Sequence, residues 1–570
     1  MGQFQVRTDD ILDEVVGIYK DWTQTTPFWS YCDCDGDPIT LPTGWQTRNP
    51  LLSGMKTCII DTLGVPIFGD NPRGDGLNFA DKTKQVMVRV PAVYGDRWWE
   101  GDTEFFVPSR SPVTTPGGRS LTLHPAFHSR GGWPRSELFV GRYYCGLAVN
   151  SAGTKYAVSA SGKQPWTGVE MVELAFTNGS VEPAVNDYLT GLTSGVRGQV
   201  VDWYVSSGGW GTSDAAGKIY LGLVDERVNF NTGSVAFTPG RTATGGSSGA
   251  TGIVVAVVVT SGAWGSGDAA GYLVVRGGNG KTFTISPSEV ITDGAGGAAK
   301  ATGDGTIKAP FTSSEDLQIS ASTVMKAGDA GTSLSLNCSE MDGYCRAYGG
   351  TDTRWGLINP YTNDLLTMLA YLDLGTCNIQ SLISVGAGVT SKPATRMFGG
   401  VNNGADGIDA AVDIYGTGKG TGAAGQTPSM WRGLQDFVTG GNVYGFVIGT
   451  QPNKDGVWNI IHPNGLSIPS SPLAAGSFVS TITQCLMSSG YWGASIKEAA
   501  AKWLLLPADA TGTNVQKRCD YYYAPNYVPG VLLVGSSWNY GADAGVACRR
   551  ASNAPSSSSR YFGGRLEFIP

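Results

Sequence analysis

Charge is the first scarcity. Asp, Glu, Lys and Arg make up only 15% of the 570 residues, against about a quarter in ordinary soluble domains. The net charge is −7 and no basic block occurs, so a nucleic-acid partner is not expected. Histidine is scarcer still. His124, His128 and His462 are the full set, which argues against acid–base catalysis and histidine-rich metal sites. The ten cysteines are scattered without paired C-x-x-C spacing, so zinc is not expected. They read as reduced, buried small hydrophobes, although their even number leaves disulfides open. No run of about 18 apolar residues is present, so no membrane insertion is expected. The opening MGQFQVRTDDILDEVV has neither a basic nor an apolar signal region, and lacks the Ser or Thr of a myristoylation signal. Work outside a cell would then require release by lysis, as with a virus particle.

Familiar chemical motifs are missing too. No G-x-S-x-G elbow occurs. In Tyr415 to Gly425, Lys419 is followed by Gly420 and not by Ser or Thr, so this is a flexible glycine loop and not a phosphate cradle. Asp33-Cys-Asp-Gly-Asp37 lacks the later spacing and distal Glu of a calcium loop and reads as a turn. Gln451-Pro452-Asn453 precedes Trp458-Asn459, but the Trp-Asn-Asp companion of a lectin calcium site is absent. No metal, cofactor or catalytic residue is expected.

What is plentiful is glycine, 82 residues, with 16 Trp and 23 Tyr, and 41% apolar residues to build cores. That mixture fits a β-rich, loop-rich extracellular or virion protein. Residues 8–24 carry Ile11, Val15, Ile18 and Tyr19 on one helical face and predict a helix. Pro360 to Leu374 predicts another, with Leu365, Leu366, Leu369 and Leu372 on its apolar face, and Ser495 to Trp503 a third, shorter one. Strands are predicted at Val86–Pro91, Glu104–Val107, Glu137–Tyr143, Thr439–Ile448 and Val457–Ile461. Val531–Val534 and Arg565–Ile569 are read as paired terminal strands. An internal repeat stands out. SGVRGQVVDWYVSSGGWGTSDAAGKIYL begins at Ser194, and SGATGIVVAVVVTSGAWGSGDAAGYLVV begins 54 residues later, at Ser248. Each copy has two β runs around a Gly-Trp-Gly or Ala-Trp-Gly turn, so two small β modules are expected. WGxxDAAG reads as a hairpin whose Trp packs into its own module. Few helices among many short strands indicate an α+β fold.

A family resemblance rests on particular residues. Met430 to Gly449, MWRGLQDFVTGGNVYGFVIG, resembles a signature of the formylglycine-generating-enzyme branch of the C-type lectin fold, through Arg432-Gly433, Gly441-Asn442-Val443 and Phe446. Gly535-x-x-Trp538 is similar to that branch's late segment, and Arg565 and Phe568 to its closing strand. A lectin domain ending in such a segment resembles the variable proteins of diversity-generating retroelements, such as phage tropism determinants. VMVRVPAVY and ELFVGRYYC, within 85–145, are similar to the opening half of such phage proteins. The resemblance implies an α+β C-type lectin fold of the formylglycine-generating-enzyme type, interrupted by an all-β, Ig-like insertion of two repeated modules. The expected domains are an N-terminal docking region at 1–80, the first part of the lectin domain at 81–178, the insertion at 179–310 and the main lectin domain at 311–570, with its variable region about 536–562.

In that family a reverse transcriptase randomises template adenines, mostly in AAC codons. Within WNYGADAGVACRRASNAPSSSSRYFGGRLEF, Trp538 to Phe568, Tyr540, Asp543, Arg549, Arg550, Ser552, Ser557, Ser559, Arg560 and Tyr561, interleaved with Asn539 and Asn553, are reachable from AAC, and Phe562 from an Ile codon. The implied ligand-binding residues are Ser536, Asn539, Tyr540, Asp543, Arg549, Arg550, Ser552, Asn553, Ser557, Ser559, Arg560, Tyr561 and Phe562. Tyr540, Arg549, Arg550, Arg560 and Tyr561 are the expected anchors. Trp538, Gly541, Gly545, Gly564 and Arg565 are the implied scaffold. Tyr, Arg, Ser and Asn are also the residues antibody paratopes favour. The function implied is phage receptor binding without enzymatic activity, at the tail or capsid surface. The expected partners are a host surface protein or glycan, and other virion proteins through the N-terminal region; a homotrimer is expected. The alternatives are a structural virion decoration or tail protein without a diversified site, and an oxidising enzyme of the formylglycine-generating type. Cys519 and Cys548, far apart and without a nearby His, weigh against the last.

Overall fold

The computed structural model describes residues 15–570 except 129–132, 164, 169–170, 278–282, 284–288, 380–381, 383–412, 416, 420–428, 438–443, 448–449, 453–456, 461–479, 484–485, 525–529, 536–542 and 560. Strand accounts for 42% and helix for 10%, so β structure sets the architecture and the helices serve it.

One helix is central. Pro360–Leu374 forms as predicted, for local reasons. Asn359 caps it by accepting from Thr362 N at 3.0 Å, Pro360 opens the first turn, and Gly375 closes it at φ 66. Nearly every residue of the helix is buried, as its all-round apolar composition requires. Its leucines share a core with Val16 and Ile18, Val88 and Val90, Leu138 and Val140, and Leu532 and Val534. These residues come from the three sheets around the helix.

The first sheet runs 355–357, 566–568, 137–141, 85–91, 56–60, 66–68 in order. Leu566–Phe568 therefore pairs with Trp355–Leu357 and Glu137–Gly141, not with Val531–Val534 as expected. The latter lies in a different sheet, between 444–447 and 549–553. The second sheet runs 30–32, 17–21, 103–109, 94–100, 120–123, 113–114. Its strand Gly17–Asp21 corrects the helix expected over 8–24, whose first half lies outside the described residues. Val15, Val16 and Ile18 are β-branched, Gly17 weakens a helix, and Thr103–Ser109 supplies the backbone partners. Residues 15–80 contribute strands 17–21 and 56–60 to the interior of these sheets. The helix expected over Ser495–Trp503 is reduced to one short turn at Ala499–Ala501. Tertiary bonding outweighs its alanines: Ile496 N donates to Leu506 O at 2.9 Å, and Arg518 Nη2 reaches Ser495 Oγ at 2.6 Å.

The duplicated segment folds as two nested barrels. Strands 171–179, 215–222, 197–207, 188–191, 316–319 and 322–327 close into one ring, and 332–334 continues along the edge of 171–179 that 322–327 pairs with. Strands 226–235, 269–276, 251–261, 242–245, 290–292 and 298–308 close into the other. These are closed six-stranded barrels and not the facing sheets of an Ig-like sandwich, and the inserted structure runs from Met171 to Leu334, beyond 179–310. The registers match copy for copy. Val200 pairs with Leu221 and Val254 with Val275, and each hairpin carries irregularities at the same two places. Trp210 stacks on Phe176 at 5.2 Å and Trp264 on Phe230 at 5.1 Å, as the packed-hairpin reading of WGxxDAAG requires. Glu315 accepts from Thr193 N and Ser194 N, and Glu289 from Ser247 N and Ser248 N.

The second barrel sits between the fourth and fifth strands of the first. Its first and last residues, Glu226 and Lys308, are direct cross-strand partners, and Ala309 N donates to Asp225 O at 2.8 Å. Entry and exit are thus adjacent, the geometry in which an insertion adds little closure cost. Excising 226–308 and joining Asp225 to Ala309 through a short Gly-Ser linker should leave a soluble protein. Its thermal transition, followed by circular dichroism, should fall by several degrees, because excision takes Arg276 from buried Asp225 and Val274 from the first barrel's core.

Candidate functional site

The third sheet carries the segment singled out in the sequence. Its order is 490–491, 521–523, 549–553, 531–534, 444–447, 562–563. Strand Arg549–Asn553 is interior, antiparallel to Val531–Val534 and parallel to Tyr521–Tyr523. Side chains alternate across it. Arg549 and Ala551 are buried, whereas Arg550 and Ser552 are half-buried on the outer face. Tyr522 pairs with Arg549 and shares its inward direction; Tyr523 pairs with Arg550 and shares its outward one.

The outer face is an aromatic and polar cluster. Tyr491 and Tyr521 meet edge to face at 5.1 Å, and Tyr521 and Tyr523 lie 4.6 Å apart. The Arg550 guanidinium stands 5.5 Å over the Tyr523 ring, and its Nε donates to Ser552 Oγ at 3.0 Å. Asp543, half-buried beside them, accepts from the hydroxyls of Tyr491 and, at 3.5 Å, Tyr523. Burial, reinforced by the Asp543 carboxylate, raises the Tyr491 phenol, so this tyrosine stays a donor. The three tyrosines were not recognised from sequence. The available signal was the run Tyr521-Tyr522-Tyr523, in which any strand sends two rings to one side.

Two residues expected at the ligand surface belong to the interior. Arg549 is fully buried, bonding to Asp364 Oδ1 at 2.6 Å and to the carbonyls of Val546 and Cys548. Strand parity turns it inward, and the central helix supplies the counter-charge. Phe562 is also buried, edge-on to Phe446 at 5.6 Å. Neither presents a surface to a ligand. Asn553, Ser557, Ser559 and Tyr561 are half-buried. Asn553 ends the strand, and Ser557, Ser559 and Tyr561 lie in the loop that follows, whose base is tied to the body. Ser558 Oγ donates to Gly168 O at 2.7 Å, and Gly168 N donates to Ser559 O at 3.0 Å. Ser536, Trp538, Asn539, Tyr540, Gly541 and Arg560 lie outside the described residues.

The other scaffold positions have clear reasons. A Cβ on Gly545 would lie 1.7 Å from Asp520 Oδ1, and one on Gly564 would lie 2.6 Å from Leu357 and Met341. Arg565 is buried and donates to the carbonyls of Gly141, Arg142 and Gln435. Arg432 grips Asp373 with two 2.8 Å bonds, and Trp431 Nε1 joins the same carboxylate.

Asp520 underlies the turn that leads into Arg549. Its Oδ2 accepts from Ala547 N at 2.7 Å, and burial pushes its carboxyl up to about 8. Two further features bear on chemistry. His124 is buried, held neutral at neutral pH by desolvation, and its Nδ1 accepts from Ala126 N. Nine cysteines are free and buried among the described residues, and burial raises the Cys519 and Cys548 thiols, so both stay protonated. Asp33 Oδ1 accepts from the amides of Asp35, Gly36 and Asp37, as a turn does. No group of three His, Cys, Asp or Glu among the described residues is arranged to hold a metal ion. No helix among them is long and apolar enough to cross a membrane. No family model matches the chain, and no curated protein matches it.

Arg549→Ala should cost about 3–5 kcal/mol, because it strands the Asp364 charge in the core. Urea denaturation would read the loss, and adding Asp364→Leu to Arg549→Met should keep most of the stability. The Asp520 carboxyl gives a pH signature. Its folded pKa lies above the unfolded 3.8, so its contribution is full below that value and falls as pH rises toward about 8. Asp520→Asn should flatten this part of the stability–pH profile.

Proposed function

We propose that this chain is a phage receptor-binding protein that displays a diversified surface on a C-type lectin scaffold. The observation that carries the reading is the two-sidedness of strand Arg549–Asn553. Its inward residues are locked into the core, while Arg550 and Ser552 join three tyrosines on the outer face. Tyrosine and arginine supply large contact area with polar tips, and serine and asparagine adapt their hydrogen bonds. A rigid sheet beneath them limits the entropy lost on binding.

The lectin assignment draws support from the way distant parts of the chain meet. The closing strand 566–568 pairs with 137–141, and Arg432, the centre of the Met430–Gly449 signature, locks onto the central helix. In this reading the protein sits on a phage tail or capsid surface and binds a host surface protein or glycan without chemistry. A homotrimer would multiply weak contacts through avidity.

The reading makes a position-by-position prediction. Sequencing the gene and its neighbouring DNA across a phage population should reveal a near-copy of the 3′ segment beside a reverse-transcriptase gene. Differences should fall at template adenines and change residues 550, 552, 557, 559 and 561. Residues 549 and 562 should stay constant, since substitution there opens the core. A uniform 3′ segment with no second copy would remove the diversification and leave a virion structural protein as the better description.

A further inference from the structure

A second site lies away from the outer sheet, where the first barrel meets the main body. A cleft of about 670 Å³ opens there, within the range of small-ligand pockets. Trp203, Tyr204 and Trp210 line its barrel side, and Tyr156 and Tyr348 its body side. The body tyrosines are fixed by their tips. Tyr156 Oη donates to Lys82 O at 3.1 Å, and Tyr348 Oη to Thr83 O at 3.0 Å. Asn150, Ser151 and Glu182 form an exposed polar rim.

The duplicated barrel supplies an internal control. Trp210 has its counterpart in Trp264, because each packs on its own barrel's phenylalanine. Trp203 and Tyr204 correspond to Val257 and Val258, at the same register in the equivalent strand. A barrel of this design therefore closes without those two rings. They are present only in the copy that faces the cleft.

The cleft's chemistry selects among ligand classes. Its one cation, Lys82, is held by Asp202 at 2.5 Å and sits 5.3 Å over the Trp203 ring. Glu182 adds a negative charge at the rim, so an anionic ligand gains nothing. The rings of Trp203, Tyr204, Tyr156 and Tyr348 suit a ligand with apolar C–H faces, and the amide, hydroxyl and carboxylate of Asn150, Ser151 and Glu182 suit its hydroxyls. We propose that this cleft binds a neutral saccharide, as a second carbohydrate site independent of the outer-sheet surface.

The test uses the full chain on a printed panel of neutral hexose and N-acetylhexosamine oligosaccharides, with acidic glycans alongside and positives titrated by calorimetry. At least one neutral oligosaccharide should bind. Trp203→Val with Tyr204→Val, residues the second barrel already carries, should weaken it about tenfold or more in protein that still unfolds cooperatively on heating. Glu182→Ala, at an exposed position that cannot disturb folding, should also weaken it. Tyr523→Ala should leave it unaltered. No neutral saccharide bound, binding of acidic glycans alone, or affinity that survives both cleft variants would overturn the assignment. So would a loss seen in Tyr523→Ala, which would move the sugar to the outer sheet.

Discussion

The structure depends on three polar anchors of one buried helix. Asn359 at its cap bonds both carboxylate oxygens of Glu567, Asp364 takes Arg549, and Asp373 takes Arg432. Those partners belong to the closing strand 566–568, strand Arg549–Asn553 and the segment after Met430. An isolated charge in such a core is prohibitive, so each carboxylate and guanidinium must find its one partner. Apolar packing alone would tolerate a sliding strand. The ion pairs do not, and they convert a collapsed core into a single register.

That constraint reaches the surface through strand parity. A one-residue slip of 549–553 would send Arg550 into the core and Arg549 to solvent. The Asp364–Arg549 bond forbids it, and so fixes which side chains face outward. The same logic governs Glu104, fully buried between Arg97 and Arg518, with Trp22 donating to it. Arg518 in turn lies against the rings of Trp22 and Trp492. A low overall charge coexists with a core that spends several of its charges internally.

Legibility in the sequence followed how local the determinants were. Pro360–Leu374 was readable because cap, proline, leucines and terminal glycine all lie within one stretch. The duplicated hairpins were readable because their repeat is nearly literal. Their closure into nested barrels was not, since it depends on which distant strands complete each ring. Val15 to Tyr19 suited a helix as well as a strand, and only the partner at 103–109 decides. Arg549 and Arg550 are chemically identical neighbours. Nothing local separates the structural one from the displayed one, because the deciding group, Asp364, is 185 residues away. The tyrosines at 491, 521 and 523 are illegible for the same reason: they join strand Arg549–Asn553 only through the sheet.

The two outward surfaces differ in a way that fits their support. The outer-sheet cluster rests on a strand whose inward residue Arg549 is ion-paired, so its half-buried residues Arg550 and Ser552 can change without breaking that pair. The cleft is built from rings whose hydroxyls are tied to main-chain carbonyls and from a barrel strand that packs against the body, Val201 and Tyr220 belonging to the body's own core. Substitution there reaches the packing at once. One surface is thus suited to variation and the other to constancy. In the proposed reading, a ligand held in the cleft and a partner on the outer face would each raise the effective concentration of the other.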